Sequence, residues 1–140
     1  MKSQEFKVLL ISFASFIVLD FLWLGLVMSE YNVEQLRLVG NFDKNGQFKM
    51  NYLPALGAYF LMSLAVAIYL SPNISVSRSK RTTFFWGAGL GLIIYGVFDL
   101  TNLAILKNYP IWFIFPDIAW GGSVFGMVCL IVRWYKGLVV

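Results

Sequence analysis

The chain has 140 residues, of which 59% are hydrophobic and 13% charged, with a mean hydropathy of +0.74. Soluble domains carry about 25% charged residues, so a water-soluble globular domain is excluded. The net charge of +4 is confined to the ends and loops of apolar runs, which speaks for membrane topology and against a nucleic-acid partner.

Four apolar runs, 8–28, 52–71, 83–106 and 111–134, reach spanning length. About 20 mostly apolar residues cross roughly 30 Å of hydrocarbon, where an open strand would leave its backbone groups unsatisfied. The sequence therefore predicts an all-α fold. The expected form is an integral membrane four-helix bundle, one domain over residues 1–140, with antiparallel up-down topology and the lipid bilayer as its surroundings.

The first run starts basic, with Lys2 and Lys7, yet reads as a span and not as a cleaved signal peptide. It is too long, Asp20 interrupts it, and no A-x-A site follows. Residues 29–51 form an outer loop. Val33, Leu36 and Val39 recur there at a spacing of three, which suits a short helix lying in the interface, with an unstructured connector as the alternative. Asp43-Lys44-Asn45-Gly46 reads as a turn. The second run opens on Pro54-Ala55 and carries Tyr59. Residues 72–82 form a short basic loop whose Arg78, Lys80 and Arg81 are placed to meet anionic headgroups.

The third run holds Gly87, Gly89 and Gly91, then Tyr95, Asp99 and Asn102. Residues 107–110 leave so little chain that the third and fourth helices must be antiparallel neighbours. The fourth run carries Pro116, Asp117, Trp120, Gly121, Gly122, Gly126 and Cys129. Cys129 is the only cysteine and there is no histidine, which rules out an intramolecular disulfide and removes the commonest general base and metal ligand. Gly87/Gly91 and Gly122/Gly126 fit the small-xxx-small pattern of close helix packing, within the protomer or, in a sharper reading, in a homodimer through the Gly-rich faces. Residues 18–25 align with 97–104, a hint of a parallel duplication.

An even number of spans puts both termini and the second loop on one side. That side holds Lys2, Lys7, Arg78, Lys80, Arg81, Arg133 and Lys136, whereas the other holds only Arg37, Lys44, Lys49 and Lys107. The positive-inside bias places both termini in the cytoplasm.

Three aspartates lie inside spans, and a carboxylate there costs roughly 2.5–3.5 kcal/mol on insertion scales. Counted from the outer helix ends at 1.5 Å per residue, Asp20 lies about 12 Å in, Asp99 and Tyr59 about 10 Å and Asp117 about 9 Å. Each span thus contributes a polar group to one layer. Asp20 has Trp23 three residues on, Asp117 has Trp120 and Asp99 has Asn102, and such pairs share a helix face. Tyr95 extends the Asp99 face inward. Pro116 removes a backbone donor beside Asp117, and the carbonyl it frees is expected to face the same layer.

The candidate ligand-binding residues are therefore Asp20, Trp23, Tyr59, Tyr95, Asp99, Asn102, Asp117 and Trp120. No cofactor is identified. Any metal would need oxygen ligands, which means a hard divalent cation with Asp20, Asp99, Asn102 and Asp117 as its candidates. Without a cation, three adjacent carboxyls cannot all ionise, so proton exchange is equally consistent. The aromatic surround suits an apolar or cationic guest. As helix glue the aspartates would return only about 0.6 kcal/mol per bond, a poor return for burying three of them.

Leu19-Asp20-Phe21-Leu22-Trp23-Leu24-Gly25, Tyr95-Gly96, Asp99-Leu100-Thr101-Asn102-Leu103-Ala104, Asp117-Ile118-Ala119-Trp120-Gly121 and Pro54-Ala55 together resemble the bacterial membrane-protein family catalogued as domain of unknown function 2177. The resemblance covers nearly the whole chain and implies a small four-helix, multi-pass protein of the bacterial inner membrane, with no activity attached. Val97, Phe98 and Ile105 stand where Thr, Tyr and Thr are expected in the family, so those hydroxyls drop out of any shared mechanism.

Three functions compete. The favoured one is binding or transport of a small molecule, cation or proton at the aspartate layer. The second is an intramembrane enzyme acting on a lipid or acyl chain, although no nucleophile motif, phosphate loop or redox ligand set is present. The third is an accessory subunit whose polar layer docks a partner membrane protein.

Overall fold

In a computed structural model that describes residues 3–139, helices carry almost all of the regular structure. Helix α1 (Ser3–Asp20) continues as a π-helix, Phe21–Val27, and a short helix α2 (Ser29–Gln35) follows. Helix α3 (Tyr52–Ala65) also widens into a π-helix, Val66–Leu70, and ends in a 3-10 turn, Ser71–Asn73. Helices α4 (Lys80–Ile105) and α5 (Ile111–Leu138) complete the chain. Four helical stretches are long and apolar enough to cross a membrane: Ser3–Val27, Tyr52–Asn73, Lys80–Ile105 and Ile111–Leu138. They coincide with the four expected runs and extend beyond four of their eight ends, because hydropathy marks contact with hydrocarbon and a helix continues into polar residues. Ser79, for example, caps α4 by accepting a bond from the Thr82 amide at 3.1 Å, which starts that helix at Lys80 instead of at Thr83. Lys2, one of the residues in the charge count, lies outside the described residues.

The most extensive helix contact joins α4 to α5. Lipid tails are as apolar as the side chains, so this pairing depends on close backbone approach and dispersion, not on a gain from leaving water. Glycines supply the approach. A methyl group on Gly87 would come within 2.5 Å of the Phe125 carbonyl oxygen, and one on Gly91 would run into the Gly121 carbonyl. Gly121 lies against the Tyr95 ring and Gly126 against Phe84, so contact partners fall in number along α5 as they rise along α4. The two Gly-rich faces are thus turned toward each other within one chain. Helix α1 packs on α3 and α5, with Val8, Phe16, Val66, Val124, Phe125, Val128 and Val132 fully buried, and Phe16 meets Phe125 at 4.8 Å between ring centroids.

Side chains tie both ends of the bundle. At one end Lys136 donates to the carbonyls of Ser71 and Ile74, while Arg133 donates to those of Val76 and Arg78. These two cations of the topological count therefore also close carbonyls that follow the second span. At the other end the Tyr31 hydroxyl of α2 donates to the Trp112 carbonyl at 2.8 Å. The short helix expected in the outer loop exists, but Leu36 and Val39 just beyond it pack on Tyr109, Phe113 and Ile114. The turn at Asp43 also forms: its Oδ1 accepts from the amides of Asn45 and Gln47, and Gly46 takes a positive φ of 77°.

The aligned segments 18–25 and 97–104 differ in conformation. The first passes from α- to π-helix after Asp20, whereas the second stays α-helical.

Candidate functional site

Asp20 is the last residue of α1 and is 3% exposed. Its Oδ1 accepts the indole N–H of Trp120 from α5 at 2.7 Å. Trp23, in the first turn of the π-helix, lies flat on Trp120, with ring centroids 4.7 Å apart and planes within 9°. Bond and stack together fix the indole between two elements of the first span, so Asp20, Trp23 and Trp120 act as one unit. Tyr59 on α3 adds its hydroxyl beside the Asp20 carboxyl. The spacing along α5 pairs Trp120 with Asp117 on one helix face. A shared face does not make a bond, and the indole reaches across to α1 instead.

Asp99 on α4 is fully buried. Its Oδ1 accepts the Tyr109 hydroxyl at 2.7 Å, but its Oδ2 has no hydrogen-bond donor among the described residues. The neighbour of this carboxyl on α5 is a second carboxyl, Asp117, which is only partly buried. Asp117 also lies within electrostatic range of Asp20. Tyr95 sits among all of them, in range of Asp20, Asp117, Tyr59 and Asp99. Asn102 is partly buried and interacts with Tyr109 at the outer edge. The expected residues thus converge in two linked groups: Asp20–Trp120–Trp23–Tyr59 on one side and Asp99–Asp117–Asn102 on the other, with Tyr95 between them.

Tyr109 is a member of the cluster that the sequence alone does not single out. It lies in the short connection between α4 and α5, ten positions after Asp99. The available signal was the tightness of that connection, which turns an aromatic just past a helix end back toward a carboxyl within reach of its hydroxyl. Burial and its bond to Asp99 push the Tyr109 phenol up from its ordinary value, so it stays a donor.

Pro116 behaves otherwise than expected. It lacks an N–H for the carbonyl four residues back, which is that of Trp112. That carbonyl is exposed and accepts from Tyr31, so the freed acceptor faces α2 and not the aspartates. Val97, Phe98 and Ile105 are 63%, 57% and 71% exposed, on the outside of α4, and take no part in the cluster.

Among the described residues, no three His, Cys, Asp or Glu side chains stand close enough together to hold a metal ion. Two carboxyls in contact and a third set apart make a different arrangement. A pair of neighbouring carboxyls in a dry site carries one negative charge far more readily than two, which one bound proton achieves.

No match to the chain was found among curated proteins or among solved structures. A family model described as "Predicted membrane protein (DUF2177)" matches residues 5–134. That range contains all four apolar helices in large part and every residue of the aspartate cluster. The chain is a membrane protein of the DUF2177 family.

Proposed function

We propose that this protein is a four-helix, up-down, multi-pass protein of the bacterial inner membrane, with both termini cytoplasmic, that takes up and passes on a proton at the Asp99–Asp117 pair. The observation that carries the reading is the fully buried Asp99, whose Oδ2 lacks a donor among the described residues while a second carboxyl stands beside it. An ionisable group in a span is costly and marks an ion or proton path by default. A proton fits this pair better than a divalent cation, because a hard ion seeks six or more oxygens and the third aspartate belongs to the separate Trp120 unit.

The roles divide by burial. Asp117 is partly exposed and exchanges with the surroundings, whereas Asp99 is the enclosed acceptor, held in orientation by Tyr109. Tyr95, within electrostatic range of both groups, is the residue this reading assigns to pass a proton between them. Each relay step transfers one proton from one oxygen to the next and leaves the total charge of the cluster unchanged.

Proteoliposomes loaded with a pH-sensitive dye and driven by a potassium diffusion potential test this reading. The wild-type protein is expected to shift the internal pH faster than empty vesicles. Asp99→Asn and Asp117→Asn are expected to fall to the empty-vesicle rate, with Asp43→Asn in the exposed turn unaffected. Wild-type vesicles indistinguishable from empty ones would end the proposal.

A further inference from the structure

The second and third spans barely touch. The π-helical part of the second, Val66–Leu70, lies against α1 and makes only slight contact with α4. Between them runs an open groove of about 720 Å³, lined by Tyr69 and Leu70 on one wall and by Arg81, Phe85, Trp86 and Ile93, among others, on the α4 side. It lies away from the aspartate cluster, near the end of the bundle where Lys136 and Arg133 hold residues 71–78.

We infer that this groove is a binding site for one anionic phospholipid, its phosphate at Arg81 and one acyl chain laid along α4 toward Ile93. Three observations fix the occupant. First, the charge is at one end only: Arg81 is exposed, its guanidinium lies 5.8 Å from the centroid of the Phe85 ring, and no hydrogen bond to another described residue occupies its edges, which leaves them to a phosphate. Lys80 beside it and the amino end of α4 add positive potential at the same level. Second, the polarity runs in the order a lipid requires. Arg81 and Thr82 come first, then the interfacial aromatics Tyr69 and Trp86, then Leu90 and Ile93. Third, the length fits. Twelve residues of helix from Arg81 to Ile93 span about 18 Å, close to the depth of one leaflet's hydrocarbon.

Gly89 gives the groove its depth. Unlike Gly87 and Gly91, whose added methyl groups would strike α5, a methyl group at Gly89 would meet nothing within 4 Å. Packing within the chain therefore does not require glycine there, and a large side chain at this position would project into the groove without disturbing the α4–α5 contact. The inner edge of the bundle is thus left open on purpose-built terms: cationic at the rim, aromatic at the interface and apolar below.

Native mass spectrometry of the full chain, exchanged from vesicles of equal phosphatidylglycerol and phosphatidylcholine into mild detergent, tests the assignment. The wild type is expected to retain one phosphatidylglycerol at least tenfold in excess over phosphatidylcholine. Gly89→Leu is expected to lose the bound lipid, and Arg81→Gln to keep a lipid while losing the headgroup preference. Val97→Leu, on another exposed stretch of α4, serves as a control and should match the wild type. Equal retention of the two lipids by the wild type would overturn the proposal. So would unchanged retention in Gly89→Leu, or an Arg81→Gln variant that still selects phosphatidylglycerol.

Discussion

The two halves of the α4–α5 pair are built to opposite rules. Toward the Arg133 end, Gly87, Gly91 and Gly126 bring the backbones together, and Val124, Phe125, Val128, Cys129 and Val132 fill what is left, all fully buried. Toward the Tyr109 end the same two helices carry carboxyls, a proline, and a buried oxygen without a donor among the described residues. The first half is apolar and tightly packed, as a bilayer protein needs for stability. The second gives up that packing to hold Asp99 and Asp117 side by side. In a membrane, where helix association gains little from apolar burial, such a concession is sustained only because the other half is packed so closely.

Changes at the glycines should break the comparison most severely. Gly91→Leu forces a side chain into the Gly121 backbone, where no flexible group can yield, and should cost about 3 kcal/mol or prevent folding in lipid. Thermal unfolding in detergent micelles reads it, and a variant as stable as wild type would mean that the α4–α5 contact is looser than described. Trp120→Phe preserves an aromatic against Trp23 but removes the indole donor to the buried Asp20, which keeps the Tyr59 hydroxyl, for an expected loss of about 2 kcal/mol. The comparison sharpens if Asp20→Leu in that background recovers part of the loss, since removing both partners leaves no orphaned acceptor.

Tyr109→Phe should cost about as much in stability, about 2 kcal/mol, because it removes the donor to a fully buried carboxyl whose other oxygen is already unpaired among the described residues. Its proton uptake in vesicles should nonetheless change more than that of Trp120→Phe, as it leaves the Asp99 carboxyl without its orienting donor. Equal effects of the two variants on uptake would merge the two groups into one. Tyr31→Phe is the mildest, about 0.5 kcal/mol, and should have almost no effect in a Pro116→Ala background. Alanine at 116 restores the amide that the Trp112 carbonyl lacks, so the two changes are expected to be non-additive.

Much of this was legible in the residues themselves. Long apolar runs define spans whatever their packing, because lipid leaves a helix no alternative. The aspartates announced themselves by their cost. What spacing along one helix could not reveal was reach between helices: Trp120 shares a face with Asp117 but bonds Asp20, a hundred positions away. Tyr109 was hidden because a connection of few residues looks inert until the chain is seen to double back. The π-helical turns after Asp20 and Ala65 had no signal in the sequence, and they shift every later side chain around its helix. Pro116 signals a freed carbonyl in any sequence, but the direction of that carbonyl depends on where α2 lies.

Infrared spectroscopy of the protein in lipid nanodiscs tests the central claim most directly, since a protonated carboxyl has a carbonyl stretch resolved from that of carboxylates. The account predicts one such band from the Asp99–Asp117 pair in neutral buffer, altered by Asp99→Asn and by Asp117→Asn alike and untouched by Asp43→Asn. Absence of the band, or a band that only Asp20→Asn removes, would contradict it.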